Sequence, residues 1–281
     1  MAIKILIDSA SDINQEDAKK LGVDIIPLIV GFGDEEYLDG VDLSSKEFFE
    51  KLMTDKNHPK TSQITPYRFS ERFKQLTENG DQVVCICISS KLSGTFESAR
   101  QAALDYKDKV FVVDSMSATV GERILCEYAL KLIEKGLPAK EIKEELDRAK
   151  KHVYVTGLLD TLEFLKRGGR VSKTVEIVGG ALNIKPVFAI IDGEVKMVGK
   201  AIGRRRGCSL MNSVIEQKGG VNFDMPHYVL YSGLDEEIAL KYIKDSKNLL
   251  GERTSIPYNA IGSTIGTHVG PGVVGIAFFE K

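Results

Sequence analysis

Cysteine is scarce in this 281-residue sequence, and the four cysteines form no recognisable metal or redox motif. No two of them are spaced as C-x-x-C. Cys85 and Cys87 stand two residues apart in a strand-like segment, so both thiols face one way. This usage predicts buried, reduced thiols and no bound metal, and it is typical of a reducing cytoplasm.

Long apolar runs are lacking at the amino-terminal end. The opening segment, MAIKILIDSASD, has a short apolar run that is soon followed by Asp8. Such a run is too short for a signal peptide or a membrane span. We therefore expect a cytoplasmic protein that makes at most transient contact with a membrane.

Several motifs that define enzyme classes are also missing. No G-x-G-x-x-G follows a predicted strand, and the sequence contains no G-x-x-x-x-G-K-[ST], H-E-x-x-H or G-x-S-x-G. The segment GSTIG carries Thr264 where a nucleophile elbow requires serine. The sequence thus predicts no cofactor, no nucleotide site of its own and no serine-hydrolase elbow.

The charge balance is slightly negative overall but uneven along the chain. The formal net charge is −2, whereas residues 161–210 hold ten Lys and Arg against four Asp and Glu. The overall balance argues against bulk nucleic-acid binding, and aromatic side chains for base stacking are sparse in the basic segment. The basic segment includes three consecutive arginines, Arg204, Arg205 and Arg206. They form either a solvated face or a docking surface for an acidic partner or a phosphate.

In the first half, apolar strand-like segments alternate with helix-like segments. This alternation predicts a mainly parallel sheet with helices on both faces. The predicted strands are 3–9, 23–32, 82–88 and 109–114, and the predicted helices are 14–22, 44–54, 66–79, 93–105, 119–135 and 138–150.

The second half mixes a hairpin signal with further helices and strands. Asp192-Gly193 separates two apolar runs, which is typical of an antiparallel hairpin. We predict a second α/β sandwich on a mixed sheet, with domains at 1–155 and 156–281. The other predicted elements are helices 204–217 and 235–249 and strands 227–231, 252–258 and 273–279.

Small hydroxyl side chains follow the predicted strands of the first half. They occur in DSASD (8–12), SSKLSGT (89–95) and DSMSAT (114–119), and the loop PKTSQITP (59–66) adds more. In open parallel sheets, ligands collect at the carboxyl ends of the strands. The plainer interpretation is that these residues only form turns and helix caps.

The segment SGTFES has the features of an anion site. We predict Ser93 as the N-cap of a helix with Phe96 at the N3 position, so that no acidic side chain closes a capping box. Free amide donors, the hydroxyls and the positive end of the helix then suit an anion. Gly94 permits close approach of the backbone.

Two residues of the second half are further candidates for anion contact. His268 lies in the glycine-rich segment GSTIGTHVGPG, which we interpret as a loop, and its imidazole can donate to an anion near neutral pH. Arg170 follows Gly168-Gly169, which would let it turn back towards a ligand.

Six motifs in this order make the sequence resemble the DegV family over its full length: DSASD, KTSQITP, SSKLSGTFESA, DSMSAT, LKRGGR and GTHVGPG. The resemblance implies two α/β domains with one long-chain fatty acid held between them. It further implies a non-catalytic subunit that presents the fatty acid carboxylate to a separate ATP-dependent fatty acid kinase. The acyl phosphate would then be carried towards phospholipid synthesis.

The resemblance also assigns residues. Thr61 and Ser93 would hold the carboxylate, with Ser62 and Gly94 adjacent. From the second half, Arg170 and His268 would approach the same head group. The segment Arg204–Arg206 would match the kinase-facing surface. A competing hypothesis makes Ser93 a nucleophile and His268 its base, with Asp8 or Asp114 as the orienting acid, in an esterase or phosphotransferase.

Overall fold

The computed structural model describes residues 2–170, 183–251 and 255–281. Its strands are β1 (Ile3–Asp8), β2 (Asp24–Ile26), β3 (Ile29–Phe32), β4 (Glu35–Leu38), β5 (Lys60–Ser62), β6 (Gln82–Cys87), β7 (Val110–Asp114), β8 (Val153–Leu158), β9 (Ile184–Ile191), β10 (Glu194–Ile202), β11 (Tyr228–Tyr231), β12 (Tyr258–Ala260) and β13 (Val274–Phe279). Its helices are α1 (Gln15–Leu21), α2 (Ser45–Thr54), α3 (Pro66–Thr77), α4 (Thr95–Ala102), α5 (Val120–Glu134), α6 (Ala139–Ala149), α7 (Glu163–Gly168), α8 (Arg204–Gln217), α9 (Glu237–Asp245), α10 (Lys247–Leu250) and α11 (Ser263–Val269).

The first half forms the predicted parallel sheet. Its strand order is β2-β1-β6-β7, and each neighbouring pair is parallel. Because the strands run the same way, the loops that follow β1, β6 and β7 meet at one edge. The hydroxyl-rich segments therefore gather where the sequence predicted.

The segment predicted as one strand over 23–32 is instead two strands in different sheets. Pro27 separates β2 from β3, and a proline has no N–H to continue a ladder. β3 pairs with β4 and β5 in a small antiparallel sheet. As a result, Thr61 and Ser62 lie on strand β5, whereas the sequence predicted a loop.

The second half is built on a six-stranded mixed sheet, as predicted. Its order is β10-β9-β8-β13-β11-β12, and β11 and β12 form its parallel pair. Asp192 and Gly193 turn the hairpin with φ of 54° and 80°, as a two-residue type I′ turn requires. The predicted helix 235–249 is two helices that meet at Ser246.

One predicted strand of the second half is displaced. The strand expected over 252–258 begins only at Tyr258, and residues 252–254 lie outside the described residues. The short strand β12 takes its place at the edge of the six-stranded sheet.

The two halves share one apolar core. Val155, Phe188, Leu230 and Ile261 of the second half pack into the same buried cluster as the strands of the first sheet. The chain enters the second sheet at β8, and the predicted boundary after residue 155 falls within that strand. The division at this residue stays a prediction. In the described ranges, no helix is long and apolar enough to cross a membrane.

A buried arginine joins helix α5 to both halves. The Arg123 guanidinium donates to Asp17 and to Asn259 at 2.8 Å and to Glu127 at 3.0 Å. It also lies 4.3 Å from the centre of the Tyr228 ring. Because the side chain is only 7% exposed, this cation depends on these partners instead of water.

We predict that Arg123→Met lowers the free energy of unfolding by about 3 kcal/mol, because it leaves partly buried carboxylates without their cation. Urea unfolding followed by circular dichroism measures this change. Arg100→Met is the matched control, since Arg100 pairs with Glu97 on the exposed face of α4 and such pairs contribute less than about 1 kcal/mol. Equal losses in the two variants would contradict the prediction.

Candidate functional site

A cavity of about 270 Å³ lies between the carboxyl edge of the first sheet and the inner face of the second. Most of its wall is apolar and comes from both halves. Residues that contribute to this wall include Ile88, Val155, Phe188, Ile190, Leu230 and Ile265. Such a wall can accept a hydrocarbon chain, since burial of methylene groups is favourable and requires no polar partner.

The polar part of the wall contains all six residues that the sequence assigned to a carboxylate: Thr61, Ser62, Ser93, Gly94, Arg170 and His268. They come from β5, from the loop after β6, from the segment that follows α7 and from α11. Residues far apart in the sequence therefore line one cavity. Gln63, which the sequence analysis did not select, lines it as well.

His268 lies on helix α11, and not in a loop as predicted from its glycine-rich surroundings. Its Nε2 is 2.9 Å from Oγ1 of Thr61, whereas its buried Nδ1 has no hydrogen-bond partner among the described residues. Burial, with smaller contributions from Arg170 and His58, lowers the pKa of His268 to about 4. The imidazole is therefore neutral at neutral pH.

Two buried aspartates of the first half hold the start of α11. Asp12 accepts the N–H of Gly262 at 2.9 Å, and Asp39 accepts the N–H of Ser263 at 3.1 Å. These bonds satisfy amides that a helix start leaves unpaired. Burial raises the pKa of Asp12 to about 8. The helix that carries His268 is thus fixed to the half that carries Thr61.

Helix α4 begins one residue later than the predicted N-cap at Ser93 implies. Gly94 is its N-cap, and Ser93 precedes the cap. The N3 residue is consequently Glu97, not Phe96, but Glu97 binds Arg100 and closes no capping box. Ser93 Oγ accepts the N–H of Thr95 at 3.3 Å and lies 2.9 Å from Thr95 Oγ1.

The Gln63 amide occupies the space that a side chain at position 94 would need. A Cβ at Gly94 would lie 2.0 Å from Oε1 of Gln63, which is far too close. The Gln63 amide also donates to Ser98 of α4 at 3.1 Å. Gln63 therefore braces β5 against α4, and its signal in the sequence was its place in the KTSQ motif.

Arg170 connects the second half to the loop after β6. Its Nη1 donates to the carbonyl of Gly168 at 2.7 Å, and its Nε donates to the carbonyl of Leu92 at 3.2 Å. Two of its five N–H donors are used in these bonds. The guanidinium lines the cavity and is the cation of the polar group.

The arginine triplet lies on α8, away from the cavity wall. Arg204 donates to Asp160 and to the carbonyl of Gly272, each at 3.1 Å. Arg205 and Arg206 are exposed. Arg204 thus has partners within the protein, whereas the other two present their charge to solvent.

The geometry of a serine-hydrolase triad is not found among the described residues. His268 Nε2 bonds to Thr61 and not to Ser93, and no carboxylate accepts from its Nδ1. Asp8 accepts the backbone N–H groups of Ala10 and Ile88. Asp114, the other candidate acid, accepts those of Ser90 and Met116. The competing hypothesis of a Ser/His esterase therefore lacks its proton relay.

A family model described as "Uncharacterised protein, DegV family" matches residues 2–281. The chain belongs to the DegV family. A DegV domain-containing protein of Clostridium perfringens is 31% identical over 283 residues, which cover 99% of each chain.

Solved structures of DegV proteins share the whole fold. A DegV family protein of Thermus thermophilus, described for its fatty acid binding, superposes with a TM-score of 0.88 at 31% identity and covers 100% of both chains. A stearic acid-binding protein of Eubacterium ventriosum has a TM-score of 0.86 at 29% identity and covers 100% of this chain and 99% of its own.

We predict that the His268 ring stays neutral well below pH 6.5, because burial disfavours the imidazolium. The unfolded chain takes up this proton near its ordinary pKa of 6.5 and the folded chain near 4. The stabilisation from this group is therefore complete above pH 6.5 and falls as the pH drops towards 4, by at most about 1.4 kcal/mol per pH unit. NMR titration of the His268 ring measures this, and a midpoint near 6.5 would contradict it.

Proposed function

We propose that this protein binds one long-chain fatty acid in the cavity between its two halves, 1–155 and 156–281. The observation that carries the proposal is an apolar cavity lined at its polar part by Thr61, Ser93, Arg170 and His268. The fatty acid binding described for its DegV relatives supports the same ligand class.

The two parts of the ligand would contribute differently to affinity. Burial of about fifteen methylenes contributes about 12 kcal/mol to the gross free energy of binding, at about 0.8 kcal/mol each. A hydrogen bond to a charged group contributes about 1.5–3 kcal/mol. Affinity would therefore come mainly from the tail. The hydroxyls of Thr61 and Ser93 would orient the carboxylate and leave it open to reaction.

The bound acid would be the substrate of a separate ATP-dependent fatty acid kinase, and this protein would not be catalytic alone. It would present the carboxylate and carry the acyl phosphate towards phospholipid synthesis in the cytoplasm. The exposed Arg205 and Arg206 offer positive charge for an acidic surface of that kinase. Arg205 borders a groove between α8 and α9 that also includes Ile238 and Lys241.

The purified protein should yield one equivalent of a long-chain fatty acid on organic extraction, because the apolar wall retains the tail. Mass spectrometry of the extract identifies and quantifies the ligand. A preparation first stripped of lipid and then incubated with stearate should recover the same stoichiometry. Absence of a fatty acid from both preparations would refute the proposal.

Ser93→Ala and Thr61→Ala should slow phosphorylation of the bound acid at least tenfold and leave most of its retention intact. The reason is that the tail, and not the head group, supplies most of the affinity. Arg205→Glu should weaken kinase binding and spare the lipid content. Phosphorylation with the kinase, lipid content and kinase affinity are measured for each variant.

Lys140→Glu is the control for Arg205→Glu, because Lys140 is an exposed cation on α6. It should bind the kinase like the unmodified protein. Equal loss of lipid in the Ser93, Thr61 and Arg205 variants would contradict the proposal that the tail supplies affinity, the hydroxyls orient the head group and Arg205 binds the kinase.

A further inference from the structure

The loop after β6 contacts the second half of the chain at the tip of the β9-β10 hairpin. Ser89 of this loop donates its hydroxyl hydrogen to the carbonyl of Gly193 at 2.7 Å, and both residues are buried. A Cβ at Gly193 would lie 2.5 Å from Oγ of Ser89 and 3.2 Å from the side chains of Lys91 and Met116. The turn glycine therefore sits in a close-fitting notch, formed by Ser89, Lys91 and Met116 of the first half.

Met116 has an unusual backbone conformation at this notch. Its φ is 52°, in the left-handed region that few residues other than glycine adopt, and Asp114 accepts its N–H at 2.9 Å. Such a conformation costs free energy and persists only where the surrounding structure imposes it. The terminal methyl of Met116 faces Gly193. The loop after β7 thus keeps an unfavourable conformation in which Met116 lies against the hairpin tip.

The notch lies beside the cavity. Leu92 of the loop lines the cavity from the first half, and Ile190 and Val195 of the hairpin line it from the second. These residues lie within three positions of Ser89 or Gly193 in the sequence. The contact in the notch therefore brings two parts of the cavity wall together.

The hairpin tip is held to the first half more weakly than helix α11 is. At the start of α11, Asp12 and Asp39 accept two backbone N–H groups and one hydroxyl hydrogen of the second half. Within the described ranges, residues 191–194 of the tip make one hydrogen bond to the first half, from Ser89. The pairing of β9 with β8 stops at Ile190, and β10 is an edge strand of its sheet. Segments with so few contacts open at the lowest cost.

We infer that the hairpin tip is a latch on the cavity: release of Gly193 from the notch lets a fatty acid enter and leave, and the Ser89 hydrogen bond limits the rate of this exchange. The inference rests on the proposed binding of a fatty acid. The latch is closed both with and without ligand, so its strength changes the rates of binding and release by the same factor and leaves the affinity unchanged.

Ser89→Ala removes the hydrogen bond of the latch. It should speed both the binding and the release of cis-parinaric acid, a fluorescent long-chain fatty acid, about fivefold, the equivalent of one neutral hydrogen bond. Stopped-flow fluorescence measures both rates, and their ratio gives the dissociation constant, which should not change. Thr77→Val is the control, because it removes a similar buried bond, from Thr77 to the carbonyl of Phe73 at 2.8 Å, and neither residue lines the cavity.

Gly193→Ala tests the fit of the hairpin tip in the notch, because its Cβ would collide with Oγ of Ser89. This variant should speed binding and release more than Ser89→Ala does. Gly33→Ala is the control, since Gly33 also turns a hairpin with a positive φ, of 60°, and its Cβ would meet the side chain of Asn57. Neither Gly33 nor Asn57 lines the cavity, so both rates should stay unchanged.

The two rates together distinguish a latch from general support of the fold. Unchanged rates in Ser89→Ala and Gly193→Ala would overturn the inference, and so would faster release without faster binding, which is a loss of affinity. Equal acceleration in the Thr77 and Ser89 variants would also overturn it. Failure of the unmodified protein to bind the fatty acid at all would overturn the proposed function together with this inference.

Discussion

The candidate site depends on the hydrogen bonds that Asp12 and Asp39 accept from the start of helix α11. Both carboxyl groups belong to the first half of the chain, and both accept backbone N–H groups of the second. The serine and threonine residues around them complete a buried polar network, in which an unpaired member would be costly. Because of this contact, His268 reaches Thr61, although 207 positions separate them.

The cavity follows from the same arrangement of the two halves. The carboxyl edge of the parallel sheet faces the inner side of the mixed sheet, and the loops at that edge are polar while the facing strands are apolar. Neither half encloses the space alone. Val155 and Phe188 belong to the shared core and also line the cavity, so the surface that joins the halves is continuous with the surface that would receive a ligand.

At two glycines, polar side chains of the cavity wall pack directly against the backbone. Gly94 lies beneath the Gln63 amide, and Gly168 lies against the His268 ring. A side chain at position 94 would displace the Gln63 amide, and one at position 168 would displace the His268 ring that contacts Thr61. These glycines therefore act through the space that they leave, whereas their φ angles are ordinary. Gly169, by contrast, has the positive φ of 66° that ends helix α7.

Sequence patterns alone determined most elements of the two larger sheets and the set of candidate residues. Apolar periodicity predicted the parallel sheet and the mixed sheet but not the small β4-β3-β5 sheet. The Asp192-Gly193 turn predicted the hairpin, and the ordered motifs selected Thr61, Ser93 and His268. Tertiary structure decided where helix α4 begins, that His268 lies on a helix beside Thr61, and that Gln63 packs against Gly94. Periodicity and turn preferences depend on neighbours in the sequence and can be predicted from it. Contacts such as that between Thr61 and His268 depend on which groups are buried together, and that is decided only when distant segments pack.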